Sequence, residues 1–134
     1  MKYMLDTNMC IYIIKKRPEG VLKKFLKFEP GDICLSSVTL AELMYGVQKS
    51  QHQHKNLSAL QEFTSPLEIM PFDEETAAHY GQIRAHLEKK GMTIGSLDMM
   101  IAAHAQCLDL TLATNNKKEF TRVPHLKIED WVHR

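Results

Sequence analysis

Short apolar runs alternate with longer stretches of helical spacing along the whole chain, and this alternation narrows the possible folds more than any other feature. The runs are too short to be helices, and as compact apolar segments bounded by turn residues they suit strands buried on both faces of a parallel sheet. Lys2 to Leu5 is the first; Ile33 to Leu35, Leu67 to Met70, Leu110 to Ala113 and Leu126 to Ile128 follow. Between them, Asn8 is placed to cap a helix running to the stop at Pro18, and Val21, Leu22, Phe25 and Leu26 give helical spacing over Glu19 to Phe28. Pro30-Gly31-Asp32 reads as a turn, and Leu40, Leu43, Met44 and Val47 mark the next helix. Asn56 to Phe63 is another. Asp73 caps a long helix through Ala77, Tyr80, Ile83 and Leu87 that ends at Gly91, and Ser96 caps Leu97 to Cys107. Asn116 to Phe120 forms a short last helix. The expected architecture is α/β, a central parallel sheet of about 4–5 strands flanked by helices. At 134 residues, with no linker or repeat, one domain over 1–134 is expected.

Composition excludes several classes. The longest apolar runs, Cys10 to Ile14 and Met99 to Ala103, fall far short of the ~18 residues a membrane span needs. Asp6 stands where the apolar region of a signal peptide would lie, so the protein is expected to stay in the cytoplasm. Cys10, Cys34 and Cys107 are widely spaced, with no paired motif, and read as reduced, buried packing residues. The net charge of +1 does not by itself signal a nucleic-acid partner, but the charge is unevenly distributed. Lys15, Lys16, Arg17, Lys23, Lys24 and Lys27 cluster in one stretch, and Glu68, Asp73, Glu74 and Glu75 in another. A molecule with poles can bind a polyanion at neutral net charge, although each cluster alone also suits a solvated helix face.

In parallel α/β sheets ligands bind beyond the carboxyl ends of the strands, and here those ends are acidic. Asp6 follows the first strand, Glu42 lies in the helix after the second, Asp98 opens the helix before the fourth, and Asn115, Asn116 and Glu119 follow the fourth. Each has an ordinary structural explanation. Thr39 to Glu42 and Asn116 to Glu119 have the form of capping boxes, and Asp98 complements a helix dipole. Taken together, several carboxylates converging without Lys or Arg would repel one another, and a divalent cation relieves that repulsion. Oxygen donors without an accompanying His or Cys pair favour Mg²⁺, with Mn²⁺ a plausible substitute, and Mg²⁺ binds through few carboxylates, water and substrate phosphate. The pattern points to phosphodiester chemistry.

Met4-Leu5-Asp6-Thr7-Asn8, Ser36 to Leu43, Asp98 to Ala105 and Thr114 to Phe120 resemble the ordered motifs of the PIN-domain ribonucleases, and more narrowly the VapC toxins of bacterial toxin-antitoxin pairs. The resemblance extends over essentially the whole chain, to Glu129-Asp130-Trp131. It implies a PIN-like fold and a Mg²⁺-dependent endoribonuclease inhibited by a VapB antitoxin, with structured RNA, tRNA prominently and initiator tRNA within that, as substrate. Asp6, Glu42 and Asp98 match the family's first three acidic positions, Asp6 and Asp98 as metal ligands. The fourth, frequently Asp in the wider family, is Asn116, which leaves open how Asn116 and Glu119 complete the site and whether one or two metals bind. A homodimer, a toxin-antitoxin hetero-oligomer and an apolar groove for an antitoxin helix are also implied. That groove is expected on the first two helices and near Leu57, Leu60 and Phe63.

Thr7, Thr114 and Asn115 stand where they can orient the carboxylates or water, and are equally placed as strand-end caps. Lys15, Lys16, Arg17, Lys117 and Lys118, with Arg84 and Arg122 as further candidates, would contact RNA phosphates rather than read bases. His52-Gln53-His54 has a metal-binding spacing on a strand but sits in a polar stretch, while His79 and His104 fall within helices as packing or surface residues. Two rivals remain. A phosphoacceptor receiver lacks here its acidic pair beside Asp6 and its closing Lys, and a catalytically silent RNA-binding module would not require all three principal carboxylates.

Overall fold

The computed structural model describes residues 1–132, and the last two residues of the expected 1–134 domain lie outside the described residues. In chain order the elements are β1 (Tyr3–Leu5), α1 (Thr7–Lys15), α2 (Glu19–Leu26), β2 (Ile33–Ser36), α3 (Ser37–Gln48), α4 (Gln53–Thr64) and β3 (Glu68–Met70). Then come α5 (Glu74–Lys89), α6 (Ser96–Cys107), β4 (Thr111–Ala113), α7 (Lys117–Phe120) and β5 (Ile128–Glu129). All four strand pairings are parallel, in the order β3-β2-β1-β4-β5. The chain moves outward from β1 to β3, then crosses back through α5 and α6 to lay β4 on the other side of β1. The strand order therefore reverses between β1 and β4, the place where an open α/β sheet leaves a crevice.

Alternation along each strand builds two cores. Met4, Cys34 and Leu112 enter a cluster with Ile83, Leu87, Met99 and Ile101, residues of α5 and α6. Their neighbours Leu5, Leu35 and Ala113 enter a second with Met9, Val21, Leu43 and Leu60, from α1, α2, α3 and α4. Both faces of the sheet are thus covered, and full burial of a Leu, Ile or Met side chain contributes about 1.5–3 kcal/mol.

Several local expectations need correction. Asp6, not Asn8, caps α1 by accepting from the Met9 N–H at 2.8 Å, and the helix stops at Lys15, with Lys16 left-handed at φ 60°, before Pro18 is reached. Ser36 caps α3 by accepting from Val38, so Thr39 is an interior residue and Thr39–Glu42 is not a capping box. Gly95, rather than Ser96, occupies the cap position of α6, without a side-chain bond. Asn116 precedes α7 but makes no side-chain cap either. α4 begins at Gln53, so His52-Gln53-His54 lies at a helix start, where residues two apart do not face one another. The last strand is Ile128–Glu129, shifted from Leu126–Ile128, and Cys107 is only partly buried. Asp73 caps α5 as expected, and Gly91 follows it at φ 66°.

Candidate functional site

Asp6 and Thr114 close the adjacent ends of β1 and β4, and the Thr114 hydroxyl donates to Asp6 Oδ2 across the switch point. Both are buried. The second Asp6 oxygen accepts from Met9, so capping and site geometry are fixed by one side chain. Thr114 also accepts from the Asn116 N–H at 2.9 Å, which ties the turn after β4 to the same carboxylate. On α1, the Thr7 hydroxyl donates to Glu42 Oε1 at 2.7 Å, bringing α3 against α1.

Electrostatics joins the remaining carboxylates to this pair. Burial raises the Asp6 pKa to about 6, with Asp98 and Glu42 adding to it, against the lowering pulls of Thr114 and Met9. Asp98 is raised first by burial, then by Glu119 and Glu42. Asp6, Glu42, Asp98 and Glu119 thus share one neighbourhood although they come from four segments of the chain. Among the described residues none of the four enters an ion pair. Mutual repulsion with no ion pair to offset it suits a hard divalent cation. Among the described residues, no group of three or more His, Cys, Asp or Glu side chains is placed to hold a metal ion. Carboxylate oxygens from separate segments fit an ion that keeps water and takes phosphate oxygens better than one caged by protein.

The other candidates fall nearby or further out. Asn115 donates to the Tyr12 hydroxyl at 3.0 Å, and its buried Oδ1 has no partner among the described residues. Lys15 lines a cavity with Thr7 and Glu42, while Lys16 and Arg17 extend past the end of α1. Lys118 is exposed on α7; its neighbour Lys117 lies 3.9 Å from Asp130. Arg84 is engaged by Glu88 and Tyr80, and Arg122 by the Thr93 carbonyl. Lys23 and Lys24 are paired with Glu19 and Glu129, which offsets part of the basic cluster.

From the acidic cluster a groove runs away between helices. A cavity of about 340 Å³ is lined by Thr7, Ile11, Glu42, Leu43 and Leu60, and one of about 390 Å³ by Ile13, Phe25 and Phe63; Ile14 and Ala59 belong to both. Leu57 is partly buried and packs against the core on this side of the sheet. Behind the cluster, Ser36 and His104 make a contact that sequence patterns do not show. His104 Nδ1 meets Ser36 Oγ at 2.8 Å. Ser36 looks like the end of a strand and His104 like one more residue of a helix, so only their packing reveals the contact.

A PIN-domain family model matches residues 3–126. The chain is 46% identical over 131 residues to the tRNA(fMet)-specific endonuclease VapC of Salmonella typhimurium, covering 98% of each chain. It is 46% identical over 132 residues to Ribonuclease VapC2 of Haemophilus influenzae, covering 98% of this chain and 99% of that one. Among solved structures, VapBC2 from Rickettsia felis bound to a DNA fragment from its promoter superposes with a TM-score of 0.92 at 45% identity, covering 98% of this chain and 99% of that one. DNA-bound VapBC from Salmonella typhimurium also gives a TM-score of 0.92, at 46% identity and 98% coverage of both.

Proposed function

The chain belongs to the PIN-domain family and, within it, to the VapC ribonucleases, and from that membership we propose that it is a toxin endoribonuclease using Mg²⁺, or Mn²⁺ in its place, held by Asp6 and Asp98. The observation that carries this reading is the convergence of Asp6, Glu42, Asp98 and Glu119 at the switch point, where burial and the neighbouring carboxylates raise the proton affinity of Asp6 and Asp98. When bound, the cation would lower the pKa of a coordinated water and neutralise charge on the phosphorane oxygens during in-line attack.

The chain's own residues do the rest. Thr114 and Met9 each occupy one oxygen of Asp6 and hold its carboxylate in one plane, leaving the other lone pairs for the ion. Glu42, oriented by Thr7, accepts from the attacking water. Asn116, fixed through its backbone by Thr114, and Glu119 complete the rim. Asn115 braces the turn against Tyr12. Because water rather than the ribose 2′-hydroxyl attacks, the products carry 5′-phosphate and 3′-hydroxyl ends. Lys15, Lys16, Arg17, Lys117 and Lys118 contact phosphates and position the strand.

The substrate is structured RNA, tRNA and within it the anticodon region of initiator tRNA; the choice of initiator tRNA is supported by the specificity named for the Salmonella relative. A VapB antitoxin inhibits the enzyme, supported by VapBC complexes among the structural relatives and by the groove that leaves the site along α1 and α4. The toxin acts in the cytoplasm as a homodimer within a larger toxin-antitoxin assembly; among the described residues no helix is long and apolar enough to cross a membrane. The test is cleavage of total bacterial tRNA by the purified protein with Mg²⁺ or EDTA, beside Asp6→Asn and Asp98→Asn. Expected are discrete fragments that vanish with EDTA and fall by about 100-fold or more in both variants, as loss of a metal ligand does. A folded wild type that binds RNA but never cuts it would make the protein an RNA-binding module instead.

A further inference from the structure

Glu42 and Asp98 sit on different helices, and their charges oppose the approach that the site requires. Something behind the carboxylates must hold α3 against α6. The Thr7 hydroxyl steadies Glu42 from the α1 side only.

On the α6 side, His104 lies six residues beyond Asp98, about 9 Å along a rigid helix. It is 1% exposed, and its Nδ1 is 2.8 Å from the fully buried Ser36 Oγ. Ser36 is the last residue of β2 and the cap of α3, accepting from Val38 at 3.0 Å. With that acceptor site used, the hydroxyl has its own proton to give. The ring's other influences are the Asp73 carboxylate and a backbone bond at Pro71; proline has no N–H, so the ring donates there. Only one neutral tautomer satisfies every group: Nε2–H toward the Pro71 carbonyl and Nδ1 accepting from Ser36. Burial, which lowers the His104 pKa, keeps the ring in that neutral form. The adjoining segment is tied in as well, with Ser37 Oγ accepting from the Phe72 N–H at 3.0 Å and the Phe72 ring edge-on to His104 at 5.7 Å.

We propose that His104 is a positioning residue of the nuclease site, its Nδ1–Ser36 hydrogen bond locking α6 to the start of α3 and so setting the separation of Asp98 from Glu42. His104 touches no reacting atom. Its replacement leaves every carboxylate present but lets the two helices relax apart under their own repulsion. The inference rests on the nuclease reading above.

The experiment compares His104→Asn, whose Oδ1 stands where Nδ1 stood and keeps an acceptor for Ser36, with His104→Leu, which keeps bulk and loses it. Cleavage kinetics, RNA affinity and Mn²⁺ affinity by EPR are measured for each. Expected for His104→Leu is a fall of about 10–100-fold in kcat or Mn²⁺ affinity with KM for RNA little changed, and for His104→Asn substantial rescue. If His104→Leu fails to fold, Ser36→Ala removes the same bond from the other partner and should give the same kcat or Mn²⁺ loss. Equal losses in His104→Asn and His104→Leu that track melting temperature would reduce the residue to packing and overturn the proposal, as would unchanged kcat and Mn²⁺ affinity in the Leu variant. A wild type that binds Mn²⁺ without cutting RNA would count against the nuclease reading alone, because the Mn²⁺ comparison is read without RNA.

Discussion

Asp6 is 4% exposed, and in the metal-free protein its pKa stands at about 6 against an ordinary 3.8. The folded state therefore keeps this proton to higher pH than the unfolded chain does. The sign follows directly: the group's contribution to stability is fully present below about 3.8 and is lost as pH rises from there through about 6. The loss is on the order of 2–3 kcal/mol, and it is the cost of keeping this carboxylate buried. Asp6→Asn cannot titrate, though it also alters the bond from Thr114. Denaturant unfolding without metal should show the variant gaining on the wild type as pH rises from about 4 to 7.5. Parallel stability curves would mean that Asp6 is better solvated than its burial indicates.

At the scale of elements, α1 serves two surfaces at once. Its first turn carries Thr7 into the acidic cluster, and its flank presents Ile11 and Ile14 to the groove it forms with α3 and α4. The groove and the acidic cluster adjoin at Thr7 and Glu42, so a helix lying in the first can reach the second. Ala59 lines both cavities from α4. Ala59→Arg fills the groove with a long cationic side chain and should weaken inhibition by a VapB antitoxin about tenfold or more while leaving RNA cleavage near the wild-type rate. Titrating antitoxin into a cleavage assay checks it. Undiminished inhibition would place the antitoxin helix elsewhere.

For the whole molecule, a net charge of +1 conceals the separation of charge that RNA binding needs. The acidic pit would repel a phosphate backbone unless cations stand round it and a metal fills it. Lys15 and Lys16 are exposed, and no ion pair within the described residues engages them. Replacing both with Gln should weaken RNA binding and lower the slope of log affinity against log salt by roughly 1–2, with kcat at saturating RNA little changed. An unaltered slope would move the phosphate path to the α7 side, where Lys118 is exposed.

The sheet and the acidic edge were legible in the chain because short buried strands and strand-end carboxylates are properties of single positions and short spacings. Asp6, Glu42, Asp98 and Glu119 needed only the rule that parallel strands present their carboxyl ends on one edge. Cap identities were less legible. Asn8 and Thr39 are good capping residues by type, but α1 and α3 begin at Thr7 and Ser37, just after β1 and β2, because the sheet fixes where each of those strands must end. Which strands flank β1, and hence that Asp6 meets Thr114 from 108 residues away, is decided by the crossover through α5 and α6. The His104–Ser36 contact, 68 residues apart, belongs to the same class. Periodicity along a chain identifies which face of an element is buried; only the packing of those faces determines which polar groups meet behind them.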